Sequence, residues 1–448
     1  MASSLFLDYF PDNPTPVFFA SAPGRLDVMG GIADYSGSLV LQMPLREQTT
    51  VWLAPRTDGR IRAITRVPQV GNPKFFAHYD ELQWQGRVNY AHARAQFGQL
   101  PGGDWAAYAV GCLLVLQHEM GIRCTGMDLL IDSQVPLGKG VSSSASLEVA
   151  TLKALQLAFG LDFPGTSLPV LAQKVENLVV GAPCGLMDQL AAYFGQRDQL
   201  LPIRCQPDQL QPLVRLPPGL RFVGIDSGVR HAVGGASYGQ VRTAAFMGYS
   251  LIAHVYHRLP APYLTAASYA QQPDRLPYGG YLANIAPALF AKTYGAFLPE
   301  KMGGKLFKQT FDDTIDQVTQ VEPTVAYPVL AATRHPVYEN FRTGEFANLL
   351  AQIGQVPANE DSVLAKLGQL MYQSHQSYTD CGLGNPQTDE LVDMVRQRAG
   401  QGVFGAKITG GGSGGTVCVM CYGERGLDTA RAIHREYSAK YGPVVFFE

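Results

Sequence analysis

The stretch Val135–Ala150, "VPLGKGVSSSASLEVA", places Gly138, Lys139, Gly140, Val141, Ser142, Ser143, Ser144, Ala145 and Ser146 directly ahead of an apolar helical pattern. Glycines let a backbone approach an anion closely. The first turn of a helix presents unpaired N–H groups and the positive end of the helix dipole. A phosphate suits such a loop, with the serine hydroxyls as further donors or as Mg²⁺ ligands. A serine-capped helix after a flexible turn fits the segment equally well. It is not a Walker A loop, since G-x-x-x-x-G-K-[ST] is absent. A second glycine cluster, Gly410–Gly415, joins two strand-like stretches, where a rigid scaffold can carry a functional loop.

Transfer of a phosphoryl group also needs cation ligands and a group that receives or orients the acceptor proton. In "KVENLVVGAPCGLMDQLAAYFG", Glu176 and Asp188 are carboxylates in apolar surroundings, which calls for a metal or an arginine as partner. Arg25 follows Pro23 and Gly24 in a constrained turn, from which a guanidinium can reach a carboxylate. Asp34 lies in a glycine-flanked loop, where it can accept hydrogen bonds from hydroxyls. Taken singly, each of these residues has an ordinary structural explanation as well: a helix carboxylate, a salt bridge, a turn cap. His254 and His257, three apart on a helical pattern, lack a further metal ligand nearby. His231 and His335 are candidates to line a site. Trp105 and Tyr108 read as core aromatics, with base stacking a secondary role. Cys418 and Cys421 form a C-x-x-C inside an apolar strand pattern and read as buried structural thiols.

Alternating strands and helices must hold these residues. "MDLLIDS" reads as a strand before the serine-rich loop. After it, Ala145, Val149, Leu152, Leu155 and Phe159 share one helical face, with Gly160 as a stop. Further on, "LRFVGIDSG" reads as a strand, "YGQVRTAAFMGYSLIAHVY" as a helix, "GAKIT" and "TVCVMCY" as strands, "LDTARAIHREYSAK" as a helix and "PVVFFE" as a final strand. A boundary near Pro217–Leu220 divides the chain into domains 1–217 and 218–448, and the segment 260–340 gives no clear pattern. A chain of 448 residues with a net charge of −2 and only 16% charged residues has no basic stripe for nucleic acid. No apolar run is long enough for a membrane span and the N-terminus does not read as a signal peptide, so a soluble cytoplasmic protein is expected. Seven cysteines, an odd number in a long chain, do not form a disulfide framework.

These motifs resemble, in order, those of the GHMP small-molecule kinases, and within them the galactokinase branch. "APGRLDVMGGIADYSG" resembles that branch's N-terminal signature, "PLGKGVSSSASLEVA" its phosphate loop and "KITGGGSGGTV" its third, glycine-rich motif; "APCGLMDQ" and "SHQSYTDCGLGNPQTDELV" are similar too. The resemblance implies an α+β, two-domain fold: an N-terminal domain like domain 2 of ribosomal protein S5 and a ferredoxin-like C-terminal domain, with the active site between them. It implies ATP and Mg²⁺. By position in the motifs, Asp188 would be the catalytic base and Arg25 the residue that holds it charged. Ser144 and Glu176 would be Mg²⁺ ligands, and Gly138 to Ser146 the loop around the triphosphate. Asp34, Gly185 and Tyr238 would contact the sugar.

One departure bears on the substrate. Where galactokinases carry Glu-His-Thr-Asp-Tyr, this chain has Gly31-Ile32-Ala33-Asp34-Tyr35. In that branch the glutamate reaches the C6 hydroxyl of the sugar. L-Arabinopyranose has the ring stereochemistry of D-galactose without the CH₂OH arm, and an unpaired buried carboxylate would be costly. Gly31 and Ile32 therefore point to a site that leaves the C6 acceptor out, and the chain resembles arabinose-phosphorylating members of the branch. The expected reaction is phosphorylation of the anomeric hydroxyl of L-arabinose. A galactokinase with a rearranged C6 pocket is the alternative, and a non-catalytic protein that senses sugar and ATP is the alternative of another class.

Overall fold

The computed structural model describes residues 2–13, 16–230, 236–353 and 360–448; His231 lies outside them. The chain forms two compact units that interleave in sequence. One comprises Met1–Arg25, Pro44–Leu137 and Ser142–Gly195; the other comprises Leu26–Met43, Gly138–Val141 and Gln196–Glu448. Strands β1 (Phe18–Met29) and β2 (Leu39–Arg56) carry the chain from one unit into the other.

The first unit holds α1 (Ala2–Tyr9), β3 (Arg60–Thr65), β4 (Lys74–His78), α2 (Tyr90–Gln99), α3 (Gly103–Met120), β5 (Gly126–Ser133), α4 (Ser143–Phe159), α5 (Ser167–Lys174) and α6 (Met187–Phe194). Its sheet runs β2-β5-β3-β4, with β3 and β5 parallel and the other pairs antiparallel. The first six residues of β5 are buried, as expected of a strand covered on both faces, and the charged one among them, Asp128, is paired with Arg56 and Arg62. Ala145, Val149, Leu152 and Leu155 of α4 are fully buried, and Gly160 closes the helix at φ +61. Removing one such leucine side chain costs ~2–5 kcal/mol.

In the second unit, β2 begins by pairing with β6 (Gln199–Arg204). A four-stranded antiparallel sheet runs β8-β9-β7-β10, from β7 (Leu220–Asp226), β8 (Val403–Ile408), β9 (Thr416–Tyr422) and β10 (Phe446–Phe447). Helices α7 (Ala236–His257), α8 (Val329–Leu350), α9 (Glu360–Asp380), α10 (Pro386–Gln397) and α11 (Gly423–Tyr441) complete it. The segment 260–340 consists of short helical turns, a small two-stranded sheet, Met302–Gly303 with Ala326–Tyr327, and the start of α8. It has no long periodic stretch because its order comes from scattered anchors. Phe290, Tyr294, Phe307 and Phe311 pack into one apolar cluster with residues of α7. Among the described residues, no helix is long and apolar enough to cross a membrane.

Candidate active site

In the first unit, β1 delivers Arg25 and α6 delivers Asp188. Arg25 is 3% exposed, and its Nε and Nη2 each donate to one carboxylate oxygen of Asp188 at 2.9 Å. This two-pronged geometry fixes the plane of the carboxylate. Ser142 Oγ donates a third hydrogen bond to the same group. Ser142 precedes α4 at φ +59, a left-handed conformation unusual for a residue with a side chain.

Behind this pair lie two further carboxylates. Glu176, in a π-helical turn, and Glu148, on the buried side of α4, are 2% and 0% exposed. Gln189 Nε2 bridges them, donating to Glu176 Oε2 at 2.9 Å and to Glu148 Oε2 at 3.3 Å. Burial, then the charge of Asp188, pushes the Glu176 carboxyl up to about 7, against the pull of hydrogen bonds from Ser144, Cys184 and Gln189. Burial, then the charge of Glu176, pushes Glu148 well above the carboxylate range. Glu148 Oε1 and Gln189 Oε1 are buried without a hydrogen-bond partner. Glu148 was missed in the sequence, although a carboxylate between Ala145 and Val149 on an apolar helix face was the signal.

The serine-rich loop serves several purposes. Ser144 bonds Glu176. Ser146 is fully buried, and its hydroxyl donates to the Ala22 carbonyl at 2.7 Å and is hydrogen-bonded to the Thr49 hydroxyl at 2.8 Å, which ties α4 to the sheet. Ala145 is buried at the helix start. Ser143 lines a small cavity with Thr65, Val67, Trp105, Ile131 and Leu147, and Trp105 donates its indole N–H to the Asn72 carbonyl. Gly185 lies in the half-buried connection between the π-turn and α6.

The preceding loop residues, Gly138–Val141, belong to the second unit. Gly138 and Gly140 both have φ +69. Lys139 Nζ pairs with Asp226 Oδ2 at 2.7 Å, and Asp226 is 2% exposed. The Lys139 carbonyl accepts from Thr416 Oγ1 at 2.8 Å, beside the glycine cluster 410–415. Val141 is buried.

A 3₁₀ helix of two turns, Gly31–Ser36, holds the sugar candidates Gly31, Ile32 and Asp34 of the second unit. Asp34 is 4% exposed, and its carboxylate accepts from the Tyr35 N–H at 2.7 Å. Tyr35 meets Tyr238 of α7 edge-on at 6.1 Å. Arg242, one turn beyond Tyr238, lies over the Tyr35 ring at 5.6 Å and pairs with buried Asp316 at 2.7 Å. Ile32, 1% exposed, belongs to the apolar cluster around α7.

Among the described residues, the histidines and cysteines do not gather into a site. His254 Nδ1 bonds the Leu259 carbonyl and His257 Nε2 bonds the Tyr294 hydroxyl. His335 is fully buried on α8. Cys418 and Cys421 are buried in β9, and burial pushes both thiols up to about 12. Among the described residues, no cluster of three or more histidines, cysteines and carboxylates could by itself hold a metal ion.

Residues 107–196 match the GHMP kinases N terminal domain and residues 356–442 the GHMP kinases C terminal domain; residues 4–55 match the galactokinase galactose-binding signature. A galactokinase of Chloroflexus aggregans is 31% identical over 98% of this chain and 92% of its own length. The chain belongs to the GHMP kinases. Within this family of phosphotransferases the signature places it in the galactokinase branch. An L-arabinokinase of Arabidopsis thaliana is 41% identical over 96% of this GHMP kinase, which spans 45% of that protein's length. The galactose complex of Lactococcus lactis galactokinase superposes with a TM-score of 0.73 at 22% identity, covering 99% of this chain and 96% of the other. Methanococcus jannaschii mevalonate kinase gives 0.55 at 13% identity over 98% of both chains. The fold is the α+β, two-domain GHMP kinase fold.

Proposed function

We propose that this GHMP kinase transfers the γ-phosphoryl group of ATP to the anomeric hydroxyl of L-arabinose, giving L-arabinose 1-phosphate and ADP. The observation that carries this reading is the 41% identity to an L-arabinokinase, taken with glycine at position 31 of the sugar signature.

Asp188 takes up or orients the C1 hydroxyl proton as the sugar oxygen attacks phosphorus. Arg25 and Ser142 fix its carboxylate for that task, and positioning of this kind is where most of the catalysis of phosphoryl transfer lies. Ser144 and Glu176 would hold Mg²⁺. Their surroundings fit a cation: Glu176 and Glu148 repel each other in a buried site, and Glu148 Oε1 and Gln189 Oε1 have no partner. When bound, Mg²⁺ offsets charge on the phosphate oxygens. The loop Gly138–Ser146 holds the triphosphate, and the cavity beside Trp105 takes the base. Asp34, Gly31, Ile32, Gly185 and Tyr238 form the sugar side.

The test is ADP release by the purified protein with ATP and Mg²⁺ on L-arabinose, D-galactose, D-glucuronate and no sugar. A clear preference for L-arabinose is expected. The galactose-binding signature and the galactokinase relatives favour a second reading, galactose as substrate. A preference for galactose would replace the first reading by the second. ATP and sugar binding without ADP would replace both by a sensor.

A further inference from the structure

The N-terminal end of the sugar-signature turn is held by side chains of β1, α8 and α9. The Gly30 N–H donates to Glu339 Oε1 on α8 at 3.2 Å, and the Gly31 N–H to Asp27 Oδ1 on β1 at 3.0 Å. The Ile32 N–H donates to the Tyr378 hydroxyl on α9 at 3.0 Å. That hydroxyl donates in turn to the Gly410 carbonyl at 2.9 Å, which links the sugar signature to the third glycine-rich motif. Asp27 Oδ2 is paired with Lys407 at 2.6 Å, both residues being 0% exposed, and the Lys407 ammonium lies 5.3 Å from the Tyr378 ring.

Tyr378 does more than accept a hydrogen bond. A Cβ built on Gly31 would fall 1.7 Å from its hydroxyl oxygen, 2.9 Å from its Cζ and 2.8 Å from Asp27 Oδ2. Position 31, at φ +39, therefore has no room for a side chain while Tyr378 is in place. Tyr378 cannot easily withdraw. It is 0% exposed, its hydroxyl is engaged on two sides, and His335 meets its ring edge-on at 5.3 Å.

We propose that Tyr378 is a specificity-determining positioning residue: it fills the place of a side chain at 31, so the signature turn presents no acceptor there to a hydroxymethyl arm. This rests on the L-arabinose reading above and assigns the missing acceptor to a residue more than 300 positions away in sequence. Substitution at 31 alone cannot restore it, because the clash comes from α9.

The experiment is a double-mutant cycle with two readouts. Thermal stability is measured for wild type, G31A, Y378L and G31A/Y378L. The ratio of kcat/KM for D-galactose to that for L-arabinose is measured for wild type, Y378L and G31E/Y378L. G31A is expected to lower the melting temperature by several degrees more in the wild-type background than in Y378L. The galactose-to-arabinose ratio is expected to rise at least tenfold from Y378L to G31E/Y378L. Additive melting shifts would overturn the packing claim. Coupled shifts with an unchanged ratio would overturn the specificity role. Turnover of neither sugar by wild type would overturn the proposed function and with it the specificity assignment, while the stability cycle would still decide what Tyr378 occupies.

Discussion

Ser142 combines a backbone cost with a side-chain benefit, and two substitutions separate them. Its hydroxyl donates to Asp188, and its backbone stands at φ +59, ψ 49. A hydrogen bond to a charged group contributes about 1.5–3 kcal/mol. Ser142→Ala removes it and keeps the strain, so turnover should fall about 10- to 150-fold if the fixed carboxylate matters in the transition state. Ser142→Gly removes the same bond and also relieves the left-handed strain, which is worth about 1 kcal/mol. The glycine variant should therefore match the alanine variant in rate and melt about 1–2 °C above it. The assay is ADP release with saturating ATP and L-arabinose, beside thermal melts of the sugar-free proteins. An alanine variant within twofold of wild-type kcat would refute the claim that Ser142 positions Asp188. Equal melting of the two variants would refute the claim of strain.

Asp188→Asn should abolish measurable turnover while the protein folds and binds ATP; calorimetric ATP titration and circular dichroism check this, and wild-type-like rates would sink the base assignment. Lys139→Ala leaves Asp226, 2% exposed, without its ammonium partner. It should cost about 1–3 kcal/mol in urea unfolding, and Asp226→Asn in the same chain should recover most of that loss. An acid-labile second unit is also expected. His335 and His375 are both pushed down to about 4, chiefly by burial, from an ordinary 6.5. The folded values lie below the unfolded one, so the unfolded chain takes up protons first. Stability is full above about 6.5 and falls as pH drops toward 4, by about 3 kcal/mol per histidine at most. Urea midpoints measured between pH 7 and pH 4.5 would contradict this if they stayed level.

Local pattern revealed much of the fold. The periodicity of α4, its closing glycine and the strand at "MDLLIDS" are short-range signals, and the structure keeps all three. The interleaving of the two units left no mark in composition: the chain crosses between them along β1 and β2, neither of which the pattern reading picked out, and Arg25, expected in a turn after Pro23 and Gly24, lies inside β1. Asp188 and Arg25 were legible as a candidate pair through the motif resemblance, but the two-pronged geometry of their contact and the third bond from Ser142 join residues 163 and 46 apart, and one sequence carries no trace of these. The same holds for Tyr378. Glycine at 31 was visible as a departure from a motif, whereas its cause is a hydroxyl on α9. Segment 260–340 was opaque for a different reason: single buried aromatics anchor it at irregular spacing, and no period-based reading detects that.

The loop that first suggested phosphate binding keeps most of its polar side chains occupied within the protein. The Ser142 hydroxyl serves Asp188, the Ser144 hydroxyl Glu176, the Ser146 hydroxyl the Ala22 carbonyl and Thr49, and the Lys139 ammonium Asp226. A triphosphate meeting this loop must therefore draw on backbone N–H groups and the N-terminal dipole of α4, supplemented by a cation at Ser144 and Glu176. Alternatively it must displace an ion pair to recruit Lys139. The two cases differ in a measurable way. If the backbone holds the phosphates, Lys139→Ala/Asp226→Asn should bind ATP within about threefold of wild type. If Lys139 changes partner on binding, the same variant should lose affinity by about tenfold or more, as expected when one charge-assisted contact to phosphate is removed. The buried carboxylate of Asp226 favours the first outcome, since recruiting Lys139 would leave that carboxylate unpaired at 2% exposure.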